Sequence, residues 1–243
     1  MGMKTGIEWT DATWNPVTGC DKISQGCKNC YAHDLALRLK SMGQHGYRNG
    51  FDLTLQPDML EKPLQWKKPR MIFVNSMSDL FHDGIPLEYI QKVFEVMRRC
   101  PQHTFQVLTK RSERLLQLSP DIDWPPNVWQ GVSIELQRYS SRLEDLKRTS
   151  AKIKFLSLEP LLGSLDLNLN GIDWVIVGGE SGPKSRPIQE EWVLSLRDQC
   201  SKYQVPFFFK QWGGINKKAA GNSLHGLQYT EFPKPTPIFA LSA

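Results

Sequence analysis

Trp174-Val175-Ile176-Val177-Gly178-Gly179-Glu180 decides the fold. Its apolar, β-rich start is what a strand buried on both faces looks like, and it turns polar as soon as it ends. The same switch recurs at Phe207-Phe208-Phe209-Lys210-Gln211. Between the two, Trp192, Leu196, Cys200 and Tyr203 fall on one face of a helix. Strand, helix and strand in succession imply a right-handed crossover and a parallel sheet.

Working outward, extended runs are expected at Met71–Asn75, Thr104–Thr109, Val128–Ile134, Ile153–Leu158, Trp174–Val177 and Pro206–Lys210, with a weaker one at Trp14–Thr18. Helical faces recur at Ala32, Leu35, Ala36 and Leu39; at Leu87, Ile90, Phe94 and Met97; and at Leu136, Tyr139, Leu143 and Leu146. Pro86 suits a helix start. The strand ends carry Asn75, Ser76, Ser78 and Asp79; Thr109 and Lys110; Ser133 and Glu135; Glu159; Gly178, Gly179 and Glu180; and Lys210 and Gln211. Parallel α/β folds build their sites at the carboxyl ends of strands. The expected class is therefore α/β, a parallel, partial TIM-like β/α barrel over residues 1–213. Residues 43–70 form an irregular insertion, and residues 214–243 an irregular tail packed on the barrel.

The chain has 243 residues, 40% hydrophobic and 23% charged, enough for one well-buried core. It has no apolar run of membrane length and no signal-peptide core at its start, which points to a cytoplasmic protein without a membrane. The net charge of +5 is compatible with a nucleic-acid partner. Five cysteines, an odd number, argue against a disulfide framework. Cys200 and Cys100 read as small core or helix-end residues.

Three cysteines share one loop: Cys20, then Cys27 after six residues, then Cys30 after two. Thiolates bind soft metal centres. Three on a 4Fe-4S cluster leave one iron free for a small molecule, and a helix starting near Cys30 would present its positive end to the cluster. With His33, the same cysteines also form a Cys3His zinc set, and on spacing alone the two readings are level. The loop's position, after the first strand and at the face where polar strand ends converge, favours the cluster. The zinc reading makes the chain a nucleic-acid-binding protein without catalysis. A third reading is a metal-free hydrolase using Glu135, Glu159 or Glu180.

The run Ile7-Glu8-Trp9-Thr10-Asp11-Ala12-Thr13-Trp14-Asn15-Pro16 into the cysteines resembles a phage-associated family of uncharacterised proteins. So do Asn75-Ser76-Met77-Ser78-Asp79-Leu80-Phe81, Leu108-Thr109-Lys110-Arg111, Gly178-Gly179-Glu180-Ser181-Gly182 and Lys210-Gln211-Trp212-Gly213. That family is similar to radical S-adenosylmethionine (SAM) enzymes, with spore photoproduct lyase among the nearer characterised relatives. The first cysteine gap is longer than the three residues usual in such enzymes, and Asn29 stands where an aromatic usually precedes the third cysteine.

The resemblance implies a 4Fe-4S cluster on Cys20, Cys27 and Cys30, SAM as cofactor, and an electron donor such as flavodoxin or ferredoxin. It implies a lyase or nucleic-acid-modifying enzyme. Ser76, Ser78 and Asp79 are then candidates for the methionine ammonium, Lys110 for its carboxylate, and Ser133 and Glu135 for the ribose hydroxyls. Glu159, Gly178 and Gly179 complete the cofactor-binding set, and Lys110, Glu135 and Glu180 the catalytic one. Arg186 is placed to pair with a phosphate, Trp9 and Trp14 to shield the cluster, and Trp212 to line the barrel mouth. Lys67, Lys68, Arg70, Lys217 and Lys218 are expected to flank the site and hold a nucleic-acid backbone.

Overall fold

A computed structural model describes residues 5–234, apart from the side chains of Lys217 and Lys218. Seven strands form one sheet: β1 (Ala12–Trp14), β2 (Met71–Val74), β3 (Thr104–Thr109), β4 (Val128–Ser133), β5 (Ile153–Leu158), β6 (Trp174–Gly178) and β7 (Phe207–Gln211). All neighbours are parallel and stand in sequence order. With no reversal of order, right-handed crossovers all step the same way around the sheet. The sheet therefore curls into a half-barrel with helices outside.

The helices are α1 (Tyr31–Ser41), α2 (Leu87–Arg98), α3 (Ser112–Leu118), α4 (Ser141–Lys147) and α5 (Glu190–Tyr203). Between β5 and β6 an extended strap takes the place of a helix. Its Leu165, Leu167 and Leu169 are buried while Asp166, Asn168 and Asn170 face out, the period of two that an extended chain on a core requires. No helix among the described residues is long and apolar enough to cross a membrane.

Strand residues divide between two cores. Ile72, Val74, Phe105, Val107, Leu156, Val175 and Phe209 pack outward with the helices. Phe73, Trp129, Phe155, Trp174, Ile176 and Phe208 point inward and fill the barrel with Trp9. This two-sided burial is why the strands read as continuous apolar runs.

Both sheet edges are covered, as exposed edges invite aggregation. Beside β1, Val17-Thr18 pairs antiparallel with Thr54-Leu55, and the Trp14 indole donates to the Met59 carbonyl at 2.7 Å. Beside β7, Phe209 N–H donates to the Tyr229 carbonyl at 2.8 Å, and Thr230 bridges Phe208.

Three expectations are corrected. The first strand is 12–14 rather than 14–18, because Pro16 has no N–H to continue the ladder; Val17 N–H turns to the Asn75 side-chain oxygen at 3.2 Å. Leu35 is exposed, and α1 packs through Ala32 and Ala36. Lys67, Lys68 and Arg70 lead into the start of β2, where the Arg70 carbonyl accepts from Thr104 N–H at the start of β3. They therefore stand at the amino ends of the strands, across the barrel from the cysteine loop. The side chains of Lys217 and Lys218 lie outside the described part.

Candidate functional site

The loops at the carboxyl ends of the strands enclose a cavity. Cys20, Cys27 and Cys30 line one wall. Ser76, Ser78 and Asp79 after β2, Lys110 and Arg111 after β3, Ser133 of β4, Ser157 of β5 and Glu159 just after it, and Lys210 of β7 line the others, with Trp9 and Phe73 as apolar floor. Of the residues expected at the site, Glu135, Gly178, Gly179 and Glu180 do not line this cavity.

The cysteine loop hangs from β1. Cys20 N–H donates to the Phe51 carbonyl at 3.2 Å, Cys27 closes a short 3-10 turn, Gln25–Cys27, and Cys30 directly precedes α1. All three thiols are free. They differ electrostatically. Burial and the nearby Asp79 carboxylate push Cys20 up to about 11, with the Arg111 guanidinium 3.5 Å from its sulfur opposing them. Burial also works against the Cys27 thiolate, but Lys110 and the Ser24 hydroxyl outweigh it and leave the thiol below its ordinary value.

Asp21, Asp79 and Glu159 line the cavity and Glu135 and Glu180 stand behind it, and each is engaged; Asp21 meets His82 Nε2 at 2.9 Å. Asp79 accepts from Phe81 N–H (3.0 Å), the Thr109 hydroxyl (2.7 Å), Lys110 N–H (3.0 Å) and Arg111 (3.3 Å). It is thus committed to holding the turn that carries Lys110 and Arg111, and has little capacity left for a ligand ammonium. Glu135 is fully buried; it pairs with Arg142 at 2.9 Å, accepts from the Ser24 hydroxyl, and lies 3.9 Å from the Lys110 ammonium. It ties the cysteine loop to the end of β4. A Cβ on Gly26 would come within 2.3 Å of its Oε1, so the loop docks there only through glycine. Glu159 pairs with Lys210 at 2.8 Å and accepts from Ser157 at 3.2 Å.

Glu180 makes a two-pronged pair with Arg186 (2.9 and 2.6 Å) and accepts from the Asn29 side chain at 3.0 Å. Burial raises its pKa, yet Arg186 and Asn29 together hold it below the usual glutamate value. Asn29 also donates to the Lys184 carbonyl (2.8 Å), and Arg186 to the Gln25 carbonyl (3.0 Å). Residues 180–186 therefore strap the cysteine loop in place. Gly178 and Gly179 are glycines for packing: Cβ atoms would stand 2.9 Å from the Glu159 carboxylate and 2.0 Å from the Trp212 carbonyl.

Four polar atoms in cavity-lining residues have no hydrogen-bond partner among the described residues: Asn75 Nδ2, Ser133 Oγ, Trp9 Nε1 and Arg111 Nε, the last with the Asp83 carboxylate 3.9 Å away. Buried polar groups normally find partners, so these are suited to a bound molecule. Asn75 also holds a left-handed backbone, φ 59°.

Among the described residues no three His, Cys, Asp or Glu side chains stand ready to close on a single metal ion. One zinc would need its sulfurs roughly 3.8 Å apart, given Zn–S of about 2.3 Å. His33 does not line the cavity: its Nδ1 meets Asp34 at 3.0 Å and its ring packs edge-on against Phe51. Nothing supports the Cys3His set. Three thiols lining one cavity, with Arg111 and Lys110 beside them, are donors of the kind a 4Fe-4S cluster takes.

A family model described as "Protein of unknown function (DUF5131)" matches residues 4–233. The chain belongs to that family. No curated protein matches it. A solved structure titled "Spore photoproduct lyase complexed with dinucleoside spore photoproduct" is similar over 84% of this chain and 75% of its own, with a TM-score of 0.47 and 11% identity.

In this DUF5131 member the aromatic expectations divide. Trp9 forms part of the cavity floor. Trp14 is buried on the helical side against Phe105, away from the cysteines. Trp212 packs on Phe209 and lines an outer groove with Ile188, not the barrel mouth. Arg111, which no motif of the sequence assigns to the site, touches both Cys20 and Asp79. Lys210 was noted only as a strand end, although it reaches the cavity wall.

Proposed function

We propose that the protein is a radical SAM enzyme whose 4Fe-4S cluster is held by Cys20, Cys27 and Cys30. One observation carries this reading: three free thiols of one loop line a single cavity at the carboxyl ends of parallel strands, facing polar groups that lack protein partners. The sequence resemblance agrees with it. When bound, the cluster supplies the electron that cleaves the SAM sulfonium and yields a 5′-deoxyadenosyl radical.

The chain's own residues bind, orient and shield. Arg111 and Lys110 offset the negative charge of the cysteine wall. Ser76 and Ser78 donate their hydroxyls to Asn15 Oδ1 and the Val17 carbonyl, which leaves their oxygen lone pairs to accept from the methionine ammonium. Asp79 positions Lys110, which receives the carboxylate. Ser133 reaches a ribose hydroxyl, and Asn75 Nδ2 and Trp9 Nε1 donate to acceptors of the bound molecules. Glu159 and Lys210 line the far wall on the substrate side. Glu135 and Glu180 act as clamps on the cysteine loop rather than as acids or bases. An electron donor of the flavodoxin or ferredoxin kind and a nucleic acid or nucleotide substrate complete the proposal.

Iron and acid-labile sulfide assays on anaerobically purified protein test it. About four irons and four sulfides per chain are expected after reconstitution. About one zinc and no iron would refute the cluster and restore the zinc-stabilised binding protein.

A further inference from the structure

The cavity has a second approach. A groove runs between the cysteine loop and residues 181–184, and Cys30 and Tyr31 line both the groove and the cavity. Lys22 and Lys28 stand on one side of this groove and Lys184 on the other, all three exposed. The Lys22 ammonium rests on the Lys28 carbonyl at 3.2 Å, so it is held at the rim with donors to spare. Among the described residues none of the three lysines forms an ion pair. The one carboxylate in the groove wall, Asp34, is hydrogen-bonded to the neighbouring His33 ring at 3.0 Å.

At the junction stands Tyr31. The residue is 57% exposed overall, while its hydroxyl is buried and donates to the Ser76 carbonyl at 2.6 Å, which fixes the ring. Ile23, 42% exposed, lies on the cavity side of the same loop. Uncompensated ammonium groups along a concave path, ending at a fixed, open aromatic ring, match a chain with regularly spaced negative charges and stacking faces. A single strand can turn one unstacked base toward the cavity, which a paired duplex cannot do without flipping the base out.

We propose that this groove takes single-stranded nucleic acid. Lys22, Lys28 and Lys184 neutralise backbone phosphates, and Tyr31 stacks the base that leads into the cavity. The proposal rests on the cavity being the reacting centre, and it moves the polynucleotide path from Lys67 and Lys68, at the opposite end of the barrel, to the cysteine side.

Fluorescence anisotropy of a short labelled oligodeoxythymidylate, titrated with anaerobically purified full chain across a range of salt, tests it. Replacing the three lysines together (Lys22→Gln, Lys28→Gln, Lys184→Gln) should lower affinity about tenfold or more at low salt. It should also flatten the log–log salt slope by about 2, at roughly 0.7 per phosphate contact on a single strand. Tyr31→Leu should weaken binding without changing the slope, and Lys67→Gln with Lys68→Gln should leave affinity within about twofold. The proposal is overturned if the wild type binds no oligonucleotide at low salt, if the triple variant binds like the wild type, or if the Lys67/Lys68 variant loses as much. It is equally overturned if the groove captures only an acidic electron-carrier protein. Iron and sulfide measured on the same preparations separate the two ideas. Cluster present without oligonucleotide binding counts against the groove alone; binding without a cluster counts against the cavity reading alone.

Discussion

The interior of the barrel and the rim above it are held by different forces. Inside, Trp174 is wholly buried, with ring contacts at 4.9–6.4 Å to Trp9, Trp129, Phe155, Phe208 and Phe232. At the rim, the cysteine loop is fastened by charge: Glu135 with Arg142 and Ser24, and Glu180 with Arg186 and Asn29. Packing of the first kind fixes the shape of the whole sheet. Ionic fastening of the second kind sets one loop, so the cysteine wall is positioned without drawing on the core.

The largest effect should come from breaking the interior. Trp174→Ala leaves a hole among five aromatic rings and should cost about 3–5 kcal/mol in denaturant unfolding. A loss under about 1 kcal/mol would mean that the interior is not the structural keystone described.

A smaller and more local effect should follow at the rim. Glu180→Gln keeps the volume but removes the charge opposite Arg186, and should cost about 1–3 kcal/mol. Alkylation of Cys27 and Cys30 in the native protein should quicken with it, whereas Trp174→Ala should not expose these thiols below its unfolding transition. The pH sign also separates the two regions. Glu180 is held below its ordinary value, so its contribution is full above the unfolded pKa and is lost as pH falls through the folded one. The stability gap between wild type and Glu180→Gln should therefore narrow once the pH drops under about 4.3. A gap that stays constant down to acid would contradict the clamp.

How far the sequence could be read follows the same division. Strands buried on both faces announce themselves as continuous apolar runs, and β3 and β5 have the expected bounds. The first strand was misplaced because Asn15-Pro16 breaks a run that looks extended on both sides. Helix α3 spans only Ser112–Leu118, under two turns, and buries Leu115 alone of its leucines, too little for a periodic signal. The Leu165–Leu169 strap alternates like a strand but pairs with none among the described residues. At the site, the cysteine spacing was visible because all three share one loop. The roles of Glu135 and Glu180 were not, because their partners lie far along the chain: Ser24 is 111 residues from Glu135, and Asn29 is 151 from Glu180. A strand-end carboxylate looks the same in sequence whether it faces a ligand or an arginine. An arginine shortly downstream of each, Arg142 and Arg186, was the one available hint of a structural pair.

The most direct test of the central claim is release of 5′-deoxyadenosine from SAM by reconstituted protein under a strong chemical reductant, without oxygen. The account predicts release by the wild type and by Cys100→Ala and Cys200→Ala, whose thiols are buried away from the cavity. It predicts loss of release in each of Cys20→Ala, Cys27→Ala and Cys30→Ala. Release by Cys27→Ala at the wild-type rate would contradict it.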